Sequence, residues 1–119
     1  RGVAYPLVRA SGDGTNPSYA AAARRDLLVL VQVESAAAVQ QAENILRVEE
    51  IDGVFVGPLD LSASLGRMGN IDCEEVQEAL TKIETAAVCS GKVLAGFQAG
   101  KRHANEMLEA GYGLVTGMA

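Results

Sequence analysis

Apolar and polar positions along this chain follow two periods in turn, and the alternation predicts strands separated by helices. Leu27 to Val33 reads LLVLVQV, a β-rich apolar run too short and too branched for a good helix. Ser35 is placed to cap the helix that follows, whose apolar positions Val39, Ala42, Ile45 and Leu46 fall at helical spacing. The triplet IDG (residues 51–53) is turn chemistry, and Val54 to Val56 predicts a second short buried strand. Gly57 and Pro58 stop that strand. Leu61 to Asn70 is rich in small residues and breaks, which predicts a long loop holding at most one helical turn.

Asp72 and Glu75 have capping-box spacing and open a helix lined by Val76, Leu80, Ile83 and Ala87, with Gly91 as its left-handed terminator. Val93 to Phe97 predicts a third strand. Lys101 to Ala110 predicts a helix with Met107 and Leu108 inward, ended by Gly111, and Leu114 to Thr116 predicts a fourth strand. The first stretch, RGVAYPLVRASGDG, has few periodic cues and reads as loop. Asn16 and Pro17 then stand as N-cap and N1 of a helix through Arg25.

Strands alternating with helices define an α/β chain with a parallel sheet. Continuously apolar strands agree, because parallel strands are covered on both faces. Four strands make either an open sheet or half of a (β/α)8 barrel, and residues 1–119 are read as a single partial barrel domain. The bulk numbers fit: 119 residues, 49% hydrophobic and 21% charged, describe a globular chain with a modest core. A net charge of −5, with no basic run longer than Arg24–Arg25 or Lys101–Arg102, argues against a nucleic-acid partner. No apolar stretch approaches membrane-spanning length, so no membrane partner is expected. Cys73 and Cys89 lie sixteen residues apart in a helical stretch with no CxxC pairing, and are expected to be free thiols. That usage points to an intracellular, cytoplasmic location, with an organelle of a plant cell left open. The chain begins at Arg1 without a signal-peptide pattern and is read as a piece of something longer.

Two apolar runs end near an acid: Glu34 follows the first strand and Asp60 follows the second. In both candidate architectures, sites form at the carboxyl ends of the strands. A pair of carboxylates there can hold a hard divalent cation, Mg²⁺ or Mn²⁺, and leave positions free for an oxo-acid chelating through its carboxylate and keto oxygens. Gly57 and Pro58 suit close approach of the backbone to a ligand, with exposed N–H groups in the next turn available to a carboxylate. An acid after a strand is also a common helix cap or loop residue, so spacing alone leaves both readings open. His103, the single histidine, sits beside Lys101 and Arg102 and reads as a solvated surface residue. SGDG (residues 11–14) reads as a turn rather than a phosphate loop, and Arg9 in the same loop has no partner that spacing requires.

At LVQVES, IDGVFVGPLDLSASLG and GKVLAGF the chain resembles the HpcH/HpaI class II aldolases, the family of 4-hydroxy-2-oxoheptanedioate and 2-keto-3-deoxy-sugar-acid aldolases. The resemblance runs from Arg1 to the GLVTG at Gly113. It implies a (β/α)8 barrel assembled into a hexamer, of which this chain is the C-terminal half. It implies reversible cleavage of a 4-hydroxy-2-oxo acid to pyruvate and an aldehyde. Glu34 and Asp60 match the family's metal-ligand acids, and Gln32 matches its site glutamine, the one candidate catalytic group carried over. Gly57 and Pro58, with the backbone leading into Asp60, match the segment that binds the pyruvate carboxylate. Phe97 matches an apolar residue lining the pocket, and Ser11 falls near the substrate entrance. The family's general-base histidine and enolate-stabilising arginine belong to the N-terminal half, ahead of Arg1. The alternatives are a non-catalytic half-barrel acting through association with a partner or a second copy, and an acyl-CoA ester lyase of the same superfamily. The latter is disfavoured by the lack of a basic cluster for CoA phosphates.

Overall fold

A computed structural model describes residues 7–117. Within them lie four strands, β1 (Leu30–Val33), β2 (Gly53–Val56), β3 (Val93–Phe97) and β4 (Leu114–Thr116). Six helices separate or precede them: α1 (Tyr19–Asp26), α2 (Ala36–Gln40), α3 (Ala42–Leu46), α4 (Pro58–Ser64), α5 (Glu74–Ser90) and α6 (Ala104–Glu109). The strands form one sheet in the order β1-β2-β3-β4, every pair parallel. This is the sequential parallel α/β arrangement that the strand–helix alternation predicts.

Register divides the sheet into two faces, because successive side chains on a strand point opposite ways. Val33, Val56 and Gly96 share one row, and Val31, Val54 and Leu94 the row below. Val33, Val54, Val56 and Leu94 are among the most deeply buried residues and belong to the main core cluster. Against them pack Val39 of α2, Leu46 of α3, Leu61 of α4, and Val76, Leu80, Ile83 and Ala87 of α5. The last four sit at spacings of four, three and four, so one stripe of α5 faces the sheet, as its sequence predicts. Gly91 ends α5 in the left-handed conformation at φ 70°.

Several expectations are corrected. Strand β1 begins at Leu30, not Leu27; Leu27, Leu28 and Val29 are largely exposed, so apolarity there does not report strand pairing. Helix α1 starts at Tyr19 rather than Pro17, because Asn16 uses its side chain to accept from the Ser18 N–H in a local turn. The expected helix after Ser35 is two short ones, broken at Gln41; Ser35 does cap the first, accepting from the Ala38 N–H at 3.2 Å. The long loop expected from Leu61 contains most of α4, with Pro58 at its first turn, where a missing N–H costs nothing. The capping box expected at Asp72 and Glu75 is not made. Asp72 instead accepts from the Lys101 N–H at 3.0 Å, and Glu75 pairs with Arg67. Helix α6 is shorter than Lys101–Ala110, and Leu108 points to solvent while Met107 is buried. Cys73 and Cys89 are free thiols. No helix among the described residues is long and apolar enough to cross a membrane. Residues 1–6 and 118–119, including the start of the expected N-terminal loop, lie outside the described residues.

Candidate active site

The carboxyl end of the sheet gathers most of the residues singled out by the sequence. Gln32 and Glu34 are two apart at the end of β1, so their side chains leave the strand on the same side. Both arrive at Gly57, the residue after β2. A Cβ built on Gly57 would stand 3.0 Å from Glu34 Oε2 and 3.1 Å from Gln32 Nε2. An amide and a carboxylate thus fill the space that any other residue at position 57 would claim. The Gly57 N–H donates to the Val33 carbonyl at 3.3 Å, holding the two chain segments side by side.

Asp60 comes from α4, one turn beyond the glycine. Two serines fix how α4 meets the loop after β1. Ser64 Oγ accepts from the Ala36 N–H at 3.0 Å, and Ser35 Oγ accepts from Ala38. Asp60 and Ser64 are four apart and therefore lie on one face of α4. The face of α4 that touches the segment just after Glu34 is thus also the face that carries Asp60. Asp60 is exposed, Glu34 is half-buried and Gln32 is exposed. None of these three side chains makes a hydrogen bond or ion pair among the described residues. The Leu59 and Asp60 amides belong to the first turn of α4, whose N–H groups have no carbonyl within the helix to meet.

Pro58 and Phe97 border one small cavity, together with Val56, Arg102 and Tyr112. Ser11 is buried in its own turn, donating to the Val8 carbonyl and accepting from the Gly14 N–H, at 2.7 and 3.2 Å. His103 is exposed at the N-cap of α6, where Glu106 accepts from its backbone N–H at 2.6 Å.

One cluster behind the site has no signal in the sequence. Glu84 of α5 pairs with Arg102 and accepts from the Tyr112 hydroxyl at 2.9 Å, while the Arg102 guanidinium lies 5.7 Å from the Tyr112 ring centre. Burial raises the Tyr112 hydroxyl well above the ordinary tyrosine range, and the Glu84 charge adds to the shift. Burial alone would lower Arg102, but the Glu84 carboxylate outweighs it and raises the guanidinium further. The Tyr112 ring also occupies the space where a side chain on Gly96 would sit, 2.7 Å from its Cβ position. These partners are 18 and 28 residues apart, so no local pattern announces them.

Oxygen donors from Glu34, Asp60 and Gln32 suit a hard divalent cation in chemistry. No group of three or more histidine, cysteine, aspartate and glutamate side chains that could hold a metal occurs among the described residues. Any ion here would therefore keep several positions for water or substrate. The fold and this end of the sheet define a parallel (β/α) half-barrel with acids at its strand ends, an α/β arrangement that hosts many reactions.

The comparisons with known proteins are more specific. The HpcH/HpaI aldolase/citrate lyase family profile matches residues 7–117, and the chain belongs to that family. It is 37% identical over 116 residues to a hydroxypyruvate/pyruvate aldolase of Agrobacterium fabrum, covering 98% of this chain and 44% of that protein. It is 41% identical over 107 residues to a 4-hydroxy-2-oxo-heptane-1,7-dioate aldolase of Shigella sonnei, covering 87% of this chain and 41% of that one. A crystal structure of an HpcH/HpaI aldolase/citrate lyase family protein from Burkholderia cenocepacia superposes with a TM-score of 0.88 at 36% identity, covering 98% of this chain and 46% of that one. The chain spans less than half the length of these relatives. The named relatives are aldolases, which are carbon–carbon lyases.

Proposed function

We propose that this chain supplies the metal- and oxo-acid-binding half of a class II aldolase site, which cleaves a 4-hydroxy-2-oxo acid reversibly into pyruvate and an aldehyde. The observation that carries the reading is the convergence of Gln32 and Glu34 over Gly57, beside the α4 face that bears Asp60. Glu34 and Asp60 are the ligands for Mg²⁺ or Mn²⁺. When bound, the ion supplies Lewis-acid stabilisation for the oxygen on which charge develops as the C3–C4 bond breaks. The Leu59 and Asp60 N–H groups receive the substrate carboxylate, and glycine at position 57 leaves room for Gln32 and Glu34 to stand beside them. Gln32 orients the keto end through its amide. Pro58 and Phe97, which border the small cavity shared with Arg102 and Tyr112, back the substrate site from behind. No base is assigned among the described residues, so the proposal covers binding and charge stabilisation by this chain. We expect the complete enzyme to be a homo-oligomer, a hexamer, in which this half carries the strand-end acids.

Calorimetric titration of the purified chain with Mn²⁺, with and without pyruvate, tests the reading. Weak Mn²⁺ binding is expected, strengthened by pyruvate and lost in Glu34→Gln and Asp60→Asn. Equal binding by wild type and both variants would remove the proposed site.

A further inference from the structure

The turn after β3, residues 98–103, leaves the carboxyl end of the sheet and is tied to three different parts of the fold. The Gln98 N–H donates to the Thr116 carbonyl of β4 at 2.6 Å. The Lys101 N–H donates to Asp72, just ahead of α5, at 3.0 Å. Gly100 lies between them in the left-handed conformation at φ 69°, and a Cβ there would stand 2.6 Å from the same Asp72 oxygen, so the carboxylate occupies the inside of the turn. Arg102 makes the third tie, through its ion pair with Glu84 of α5. The two side chains of that pair are 27% and 12% exposed, whereas every side chain in the other ion pairs among the described residues is at least 49% exposed. Exposed pairs hold little, but this sheltered one also receives the Tyr112 hydroxyl at 2.9 Å and lays its guanidinium 5.7 Å from the Tyr112 ring centre.

Strand register says what the tie holds. Val33, Val56 and Gly96 share a row, so Glu34, Gly57 and Phe97 follow them side by side at the ends of three neighbouring strands. Phe97 is therefore the next side chain in that row after Glu34, across the bare Gly57, and the turn begins directly after it. Arg102 and Tyr112 also share with Pro58 and Phe97 a cavity of only about 20 Å³. That is room for about one water, so a displaced guanidinium shifts the opposite wall rather than being absorbed. We propose that Arg102 is a positioning residue for the oxo-acid site: clamped by Glu84 and Tyr112, it fixes the turn after β3 and sets Phe97 and Pro58 against the bound oxo-acid. This role rests on the oxo-acid reading above. It leaves the ion alone, because Glu34 is carried by β1 and Asp60 by the α4 face that Ser64 joins to the loop after β1.

Calorimetry of the chain with Mn²⁺, and of the Mn²⁺-saturated chain with pyruvate, separates the two steps. Arg102→Met should weaken pyruvate binding about tenfold, within the range by which a displacement far from the reacting atoms is felt. Mn²⁺ affinity should stay as in the wild type. Glu84→Gln keeps the shape, loses the charge and should weaken pyruvate binding less, and Arg102→Lys should recover part of the loss. Lys92→Met is the structural control. Lys92 bonds the Val48 and Ile51 carbonyls at the opposite end of the sheet, so loosening the fold there should leave pyruvate affinity unchanged. Circular dichroism establishes that each variant keeps its helices; if Arg102→Met unfolds, Arg102→Lys and Glu84→Gln decide by the same criterion. Unchanged pyruvate affinity in the folded variants overturns the positioning role. So does an equal loss in Lys92→Met, or a loss of Mn²⁺ affinity that matches the loss for pyruvate. A wild type that binds no pyruvate removes the oxo-acid site itself, and the positioning role with it.

Discussion

The two ends of the sheet carry similar polar residues and use them in opposite ways. At the amino end, Asp52 accepts from the Val29 N–H at 2.6 Å just before β1 and β2 begin. Lys92, just before β3, donates to the carbonyls of Val48 and Ile51, the latter at 2.8 Å. Those charges satisfy backbone groups that the strand ladder cannot reach. At the carboxyl end, Gln32, Glu34 and Asp60 make no such bonds among the described residues, although Glu34 is half-buried and lies against Gly57. A polar group spent on its own backbone contributes to folding, whereas one held in place but unspent is available to a ligand. The contrast separates support from site more sharply than burial or charge alone.

Removing an amino-end bond should therefore cost more stability than removing a carboxyl-end acid. Lys92→Met leaves two carbonyls without their charged donor, and about 1–2 kcal/mol is expected from denaturant unfolding. Asp52→Ala should cost about 1 kcal/mol, since its bond to Val29 is exposed. Both variants should bind Mn²⁺ as the wild type does. A loss of metal binding in either would mean that the two ends are not independent.

A third polar group, Glu84 with Arg102 and Tyr112, is spent inside the helix-covered layer and gives the comparison a pH axis. The folded-state pKa of Tyr112 is raised by burial and by Glu84. A raised folded-state value means that the stabilisation is complete below the unfolded tyrosine value of about 10 and is lost as pH rises through the folded value. Wild type should lose stability above about pH 10 faster than Tyr112→Phe, measured as the difference between their unfolding midpoints. Identical alkaline slopes would show that Tyr112 ionises as freely in the folded chain as in the unfolded one.

Legibility in the sequence follows the same division. Val93–Phe97 and Leu114–Thr116 are read correctly because each is a short β-rich run bounded by glycine and polar breaks. Leu27–Val29 mislead because their apolar side chains are not buried by this chain, and a hydrophobic run cannot say which surface it serves. Helix α4 is missed because its small residues look like loop, while Pro58, read only as the stop of the second strand, also begins the helix. Asp72 and Glu75 have the right spacing for a cap but find distant partners, Lys101 and Arg67, that no local pattern reveals. The acids at the strand ends are visible as a pattern, yet the meeting of Gln32 and Glu34 at a glycine more than twenty residues on depends on strand pairing. The family motifs bridge that gap, because they hold both segments in one resemblance.

The smallest stability effect is expected at the acids themselves. Glu34→Gln keeps shape and hydrogen-bonding capacity and breaks no bond among the described residues. Its unfolding free energy should lie within about 0.5 kcal/mol of wild type, as for substitutions away from any named stabilising feature. A gain is possible in one direction only. On the proposed shared ion site, two carboxylates held for one cation repel each other in its absence, so neutralising Glu34 or Asp60 would relieve that repulsion. Added Mn²⁺ should reverse the order, stabilising the wild type by mass action and leaving both variants unchanged. Unfolding midpoints with and without Mn²⁺ read both halves of this expectation in one experiment. A destabilisation of Glu34→Gln comparable to that of Lys92→Met would place Glu34 with the supporting residues of the amino end, and the distinction between the two ends of the sheet would fail.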